Sequence, residues 1–386
     1  MALSRRDPIK IFFISCVLLS LIIAGGNLQA QQSPATSQEV LVPGCVIDRP
    51  SLLPNWIDGN YHDYSKMVEA LSTFTIQYPG LVDQFSLGKS VDGREIWCLR
   101  VTNEQENKGK YACLIDGCIH GNEWEGGEAC LYLAEYLLIN FGRNATVTHV
   151  LNTTEVYFVP LVNPDGREND DRFNENGIDL NRNFDVNFGR FLGRSIPLGK
   201  IFGIKLFTWC GWPGTKYVWT NSGRSPFSEP ESQAIGRFME TIKNKEFSFY
   251  VTCHTAVHCF GAPSYVVRRS DYTLNSTEIN VFEYAKSWVE NHTEYQAAKN
   301  NDPYGMGDSM SWCFKEFQIP SFVFEILSKE YDPWFGHGKH DHLVHWMKTA
   351  LPVFLYLLVN IENLHQWKEP TIEPPLPDGV PPPPLP

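Results

Sequence analysis

The stretch Tyr111-Ala112-Cys113-Leu114-Ile115-Asp116-Gly117-Cys118-Ile119-His120-Gly121-Asn122-Glu123-Trp124 joins a strand to a helix and carries metal-binding residue types at the junction. Its first half is an apolar run of strand length, and helical periodicity takes over from Glu123 to Ile139. A His and a Glu three residues apart at such a junction can aim at one point. Zinc accepts imidazole nitrogen and carboxylate oxygen, and a catalytic zinc site takes three protein ligands and leaves one position open. A third ligand is therefore required. His254 is the best candidate, at the end of the apolar run Phe247-Ser248-Phe249-Tyr250-Val251-Thr252-Cys253, because sites in open α/β sheets assemble at strand ends. His258 is its neighbouring competitor.

Working outward, helical and strand-like stretches alternate from Trp56 onward. The pattern predicts a helix around Tyr61 to Gln77 and strands at Gln84 to Leu87, Glu95 to Thr102 and Glu155 to Val162. Further helices are expected from about Glu229 to Lys243, near Ile279 to Glu290 and around Asp341 to Asn360, with a strand at Ser321 to Ile326. This alternation argues for an α/β fold. The segment Asn163 to Asn187 is so rich in Asn, Asp and Gly that it reads as a loop too polar for a core.

That polar segment contains Asn163-Pro164-Asp165-Gly166, then Arg172, then Gly177-Ile178-Asp179-Leu180-Asn181-Arg182-Asn183-Phe184. Together with His120-x-x-Glu123 and the later His254, it resembles the zinc metallocarboxypeptidase family. The His-Gly-Asn-Glu sequence is closer to the carboxypeptidase N/E-like branch than to the digestive enzymes. The resemblance runs from roughly Trp56 to Trp367. It implies a single α/β domain, with a mixed twisted β-sheet flanked by helices on both faces and the zinc site at strand ends. It further implies one Zn2+ per chain held by His120, Glu123 and His254, with Asp179 orienting His120. The stretch Trp312 to Glu325 resembles the one ending in the family's catalytic glutamate, which makes Glu325 the general base.

By the same resemblance, Arg172 would stabilise the developing oxyanion, while Asn181 and Arg182 would bind the substrate's terminal carboxylate. A guanidinium fork matches a carboxylate in two parallel hydrogen bonds, which restricts such an enzyme to chain ends. Tyr304 matches the family's mobile tyrosine if one residue is deleted before Trp312. Met310 stands at the bottom of the side-chain pocket, where an apolar residue favours apolar or aromatic C-terminal residues. Asn122 replaces an Arg of the digestive members, and Arg268 with Arg269 reads as a solvated pair after a strand. His337, His340, His342 and His345 read as a polar helix start rather than a second metal site.

The expected activity is hydrolysis of the last peptide bond of peptides or proteins. One alternative is a zinc-dependent deacylase acting on N-acyl amino acids or peptidoglycan peptides; another is an inactive binding protein on the same fold. With none of His120, Glu123, His254 or Glu325 missing, the inactive reading is disfavoured.

Composition sets the remaining expectations. The 386 residues are 43% hydrophobic and 13% aromatic, enough for a sizeable core. A net charge of -12 and a pI near 5.4 argue against nucleic acid or anionic lipid as partners. Arg5, Arg6 and Lys10 precede a 14-residue apolar run, Ile11 to Ala24, shorter than the ~20 residues of a membrane span. Residues 1–30 thus read as an export signal, predicting a secreted protein with no stable membrane insertion once the signal is cleaved. Sequons at Asn144, Asn152, Asn275 and Asn291 are compatible with export. Residues 31–55 read as a linker or short N-terminal extension, 56–367 as the catalytic domain and 368–386 as an extended, mobile proline-rich tail. The flanks are too short for a folded activation segment or a second β-domain, so a bare catalytic domain, monomeric by default, is expected. Cys98, Cys113, Cys118 and Cys253 lie in apolar runs, where a free Cys acts as a small hydrophobe.

Overall fold

The strand-to-helix junction lies at the centre of an eight-stranded sheet in a computed structural model. The structure describes residues 61–106, 108–188, 221–255, 258–263, 271–298, 306–326 and 340–374, together with the backbone of short strands between 200 and 219; of residues 340–344 only the backbone is described. In chain order the elements are α1 (Tyr64–Gln77), β1 (Val82–Lys89), β2 (Glu95–Val101), β3 (Tyr111–Gly117), α2 (Trp124–Asn140), α3 (Ala145–Thr153), β4 (Thr154–Val159) and the short α4 (Pro164–Glu168). The two-residue strands β5 (Lys200–Ile201), β6 (Ile204–Lys205), β7 (Trp209–Cys210) and β8 (Val218–Trp219) pair as two ribbons. Then follow α5 (Pro230–Ile242), β9 (Phe247–His254), β10 (Cys259–Gly261), α6 (Ser276–His292), β11 (Gln296–Ala297), α7 (Ser309–Phe317), β12 (Ser321–Glu325), α8 (His340–Val359) and α9 (Ile361–His365).

The order across the sheet is β1-β2-β4-β3-β9-β12-β10-β11. The central strands β4, β3, β9 and β12 are parallel, and antiparallel pairings join β1 to β2, β2 to β4 and β12 to β10. Every residue of β9 is buried, so helices must cover both faces of the sheet there. From β3 the chain moves to β4 on one side and later to β9 on the other. The C-terminal ends of β3 and β9 therefore flank a switch point, where open α/β sheets place their ligand crevices.

Local chemistry accounts for the helix starts. Asp63 caps α1 by accepting from the Lys66 amide, and Met67, Ala70, Leu71 and Phe74 form its buried stripe at helical spacing. Asn275 and Glu278 form a reciprocal capping box at α6, and Asn144 caps α3, so two of the sequon asparagines also serve as helix caps. The short helix α3 has no counterpart in the sequence-based reading.

Two expectations are corrected. The Asn/Asp-rich segment is not outside the core: Asn163, Asp165, Asn174, Asp179, Asn181 and Asn183 are all buried. Their polar groups are satisfied by one another and by neighbours; Asp165, for example, accepts from Ser90 Oγ and the Asp92 amide and pairs with Arg94. Residues 370–374 of the tail are not loose either. Ile372 exchanges two hydrogen bonds with the Asn360 side chain (2.7 and 2.8 Å), and Glu373 accepts from Trp288 Nε1 at 2.9 Å. Residues 375–386, the export signal and residues 31–55 lie outside the described residues. Cys98, Cys113, Cys118 and Cys253 are buried free thiols, as are Cys130 and Cys313, and Cys259 is buried as well.

Candidate metal centre and substrate-binding residues

Each candidate ligand comes from the end of a central strand. His120 and Glu123 follow β3, where Cys118 adopts a left-handed backbone conformation (φ 51°) that turns the chain out of the sheet. His254 closes β9. The three side chains converge: Glu123 Oε1 lies 2.7 Å from His120 Nδ1, Glu123 Oε2 lies 2.7 Å from His254 Nδ1, and the two Nδ1 atoms are 3.2 Å apart. All three residues are buried, and their ligand atoms lie within 4.8 Å of one another. Tetrahedral zinc with bonds of 2.0–2.1 Å places its ligand atoms about 3.3 Å apart, which suits this donor set. The residues present therefore fit a catalytic zinc, and they are the only such group among the described residues.

His258, the competing candidate, faces elsewhere. Its ring packs between Tyr295 and Trp346, with centroids 4.6 and 4.8 Å away, and burial lowers its pKa.

Around the triad the charges alternate. Asp179 Oδ1 meets His120 Nε2 at 3.1 Å, and Asp179 Oδ2 accepts from Arg172 Nε at 3.1 Å. Arg172 also donates to Glu123 Oε1 at 3.2 Å. Burial works to raise the Glu123 pKa, yet His120 and His254 hold it well below the usual carboxylate range. Asp179 behaves alike: burial is outweighed by Arg172 and His120. Arg172 is held in its charged form by Asp179, Glu123 and Glu325 against the effect of burial.

Glu325 ends β12 in register with His254 on β9, and the Ile326 amide donates to the His254 carbonyl at 2.9 Å, fixing the two strand ends together. Asn181 and Arg182 occupy a 3₁₀ turn, Leu180–Arg182, beside the triad, where Asn181 Nδ2 lies 3.2 Å from His254 Nε2. This turn is clamped by Gly307: its φ is +73°, and a Cβ there would sit 2.3 Å from the Arg182 carbonyl oxygen. Met310 is buried on α7, and Asn122 is buried beside the ligands in sequence. Tyr304, Arg268, Arg269 and His337 lie outside the described residues, as do the side chains of His340 and His342. His345 is exposed and pairs with Glu294 at 3.1 Å.

Thr255 escaped the sequence-based reading. Its amide donates to Glu123 Oε2 at 3.3 Å and its hydroxyl to Glu125 at 3.1 Å, locking the backbone after His254 to the helix that follows Glu123. Its position next to a ligand was the signal available.

Fold and centre together place the molecule among α/β proteins with a His-Glu-His triad that could hold a metal ion at the carboxyl ends of a mixed sheet. The profile of the zinc carboxypeptidase family matches residues 67–335, and the chain belongs to that family. Carboxypeptidase D of Mus musculus is 33% identical over 175 residues, covering 42% of this chain but 13% of that protein. The chain thus spans far less than the length of that relative. Carboxypeptidase O of Bos taurus is 24% identical over 315 residues, 75% of this chain and 76% of that one. Among solved structures, thrombin activatable fibrinolysis inhibitor superposes with a TM-score of 0.63 at 20% identity, over 82% of this chain and 77% of that one. Carboxypeptidase A from Helicoverpa armigera gives a TM-score of 0.59 at 20% identity, over 78% and 74%. These two agree in fold with the mixed sheet described above.

Proposed function

We propose that this chain is a zinc carboxypeptidase that removes the C-terminal residue of peptides or proteins, with His120, Glu123 and His254 as ligands. The observation that carries the reading is the placement of Asn181-Arg182 beside His254, with Glu325 in register on the neighbouring strand. A carboxylate-reading pair next to a hydrolytic centre selects chain ends.

When bound, zinc supplies a Lewis acid for the scissile carbonyl and lowers the pKa of water. Glu325 takes the proton from the attacking water and returns it to the leaving amine, a step contributing roughly 10²- to 10⁴-fold. Arg172 stabilises negative charge developing on the carbonyl oxygen. Arg182 and Asn181 hold the terminal carboxylate, and Asp179 fixes the tautomer of His120. Met310 and the apolar pocket it implies favour apolar or aromatic C-terminal residues. Tyr304 is assigned to the substrate by resemblance alone. Export is inferred from the charged and apolar pattern of residues 1–30, and no described helix is long and apolar enough to cross a membrane.

The test is hydrolysis of N-blocked dipeptides and of N-acyl amino acids by purified protein, after chelation and after zinc restoration, with Glu325→Gln alongside. Zinc-dependent release of the C-terminal residue, lost in the variant, supports the proposal. Cleavage of acyl amino acids only would transfer it to a deacylase, and full activity of Glu325→Gln would refute the assigned base.

A further inference from the structure

The ligand His120 is backed directly by a carboxylate, Asp179, whereas His254 is not. Its Nδ1 points at the centre, so for the ring to serve as a neutral ligand its Nε2 must carry the proton and donate it. Among the described residues two polar atoms lie near Nε2: Asn181 Nδ2 at 3.2 Å and Thr252 Oγ1 at 3.4 Å. Asn181 cannot accept. The Ser309 backbone amide, which can only donate, meets Asn181 Oδ1 at 2.9 Å, and this fixes the amide nitrogen on the side facing His254. Among the described residues this leaves Thr252 Oγ1 as the acceptor.

A hydroxyl that accepts from His254 has its own proton to place. Thr252 on β9 stands opposite Asp116 on β3 in the parallel register. Asp116 is fully buried. Its Oδ2 accepts from Tyr250 OH at 2.6 Å, and its Oδ1 makes no hydrogen bond within ordinary distance among the described residues. Buried carboxylate oxygens are rarely left so, and a turn of the Thr252 hydroxyl towards Oδ1 gives each group a partner. Tyr250 OH also meets Ser309 Oγ at 2.9 Å, so the same carboxylate anchors the residue that orients Asn181.

We propose that Asp116, acting through the Thr252 hydroxyl, is the positioning residue for His254, as Asp179 is for His120. The inference rests on the zinc reading of the centre. Burial raises the Asp116 pKa to about 6, with the nearby Tyr250 and Thr252 hydroxyls opposing the rise, so the carboxyl remains mainly an acceptor at neutral pH.

The experiment is a competition measurement of zinc affinity against a chromophoric chelator at pH 7.5, with thermal melting of each protein. The proteins are the full chain and its Thr252→Val, Thr252→Ser, Asp116→Asn and Val251→Ala variants. Loss of an outer-shell partner weakens metal binding by roughly 10- to 100-fold. That loss is expected for Thr252→Val and Asp116→Asn, with rescue to within about threefold in Thr252→Ser. Val251→Ala, a cavity in the same strand, is expected to lower the melting temperature and leave zinc affinity unchanged. Wild-type affinity in Thr252→Val overturns the relay. Weakening in Thr252→Val without weakening in Asp116→Asn overturns the part assigned to Asp116. Failure of the wild type to bind zinc overturns the metal reading itself, whereas zinc binding without peptide hydrolysis sinks only the proposed activity and leaves the relay supported by the affinities.

Discussion

Gly126 offers a test of how the centre is held together. It lies three residues after Glu123 on α2, and a Cβ at this position would sit 2.5 Å from the carbonyl oxygen of Cys253, the residue before His254. Ordinary contact begins near 3.4 Å, so Gly126→Ala must push the helix and strand β9 apart by up to 0.9 Å, and both neighbours are backbone. Overpacking of this kind costs about 1–3 kcal/mol. Metal ligation tolerates displacements of only about 0.2 Å, so Glu123 and His254 lose their common focus well before the fold is lost. A strain of at least ~1.4 kcal/mol falling on the centre weakens zinc tenfold. The assay is chelator competition beside thermal melting, with Gly80→Ala as control, since nothing lies within 4 Å of a Cβ there. Gly126→Ala with wild-type zinc affinity would refute the reasoning, because the strand and helix would then be shown to yield without moving their ligands.

Glu231 supplies a pH prediction. It is buried beside Glu229, and its pKa is pushed up to about 7, chiefly by burial and against hydrogen bonds from Asn174 and the Val91 amide. A carboxyl whose folded pKa is raised favours the fold when protonated. Its effect is therefore full at acid pH and is lost as pH rises from about 4.5 through 7, by about 3 kcal/mol. Glu231→Gln should gain stability relative to wild type between pH 5 and 8 in urea melts, and a constant difference across that range would contradict this. His62 Nδ1 meets Glu128 Oε2 at 2.8 Å with both groups buried. His62→Ala leaves the carboxylate one backbone amide among the described residues and should cost about 3 kcal/mol, read as a melting temperature lower by roughly 4–5 °C. An unchanged melting temperature would mean that the pair contributes nothing net.

The sequence by itself determined the class of fold and named the residues proposed for the centre. Strand and helix patterns survive in isolation because burial on a strand or a helix repeats with a fixed period, and β9 was legible to the residue as Phe247 to His254. His120 with Glu123 stood out as a His and a Glu three apart at a strand-to-helix junction, and the Asn181-Arg182 pair entered only through motifs that resemble those of the family. Tertiary structure decided what depends on residues far apart in the chain. It chose His254 over His258 by aiming one ring at Glu123 and caging the other between Tyr295 and Trp346. It buried the polar segment from Asn163 to Asn183, which composition alone assigns to the surface, because each polar group there meets a partner from another part of the chain. It also set Asp116 opposite Thr252, a pairing fixed by strand register between residues 136 positions apart and carried by no local pattern.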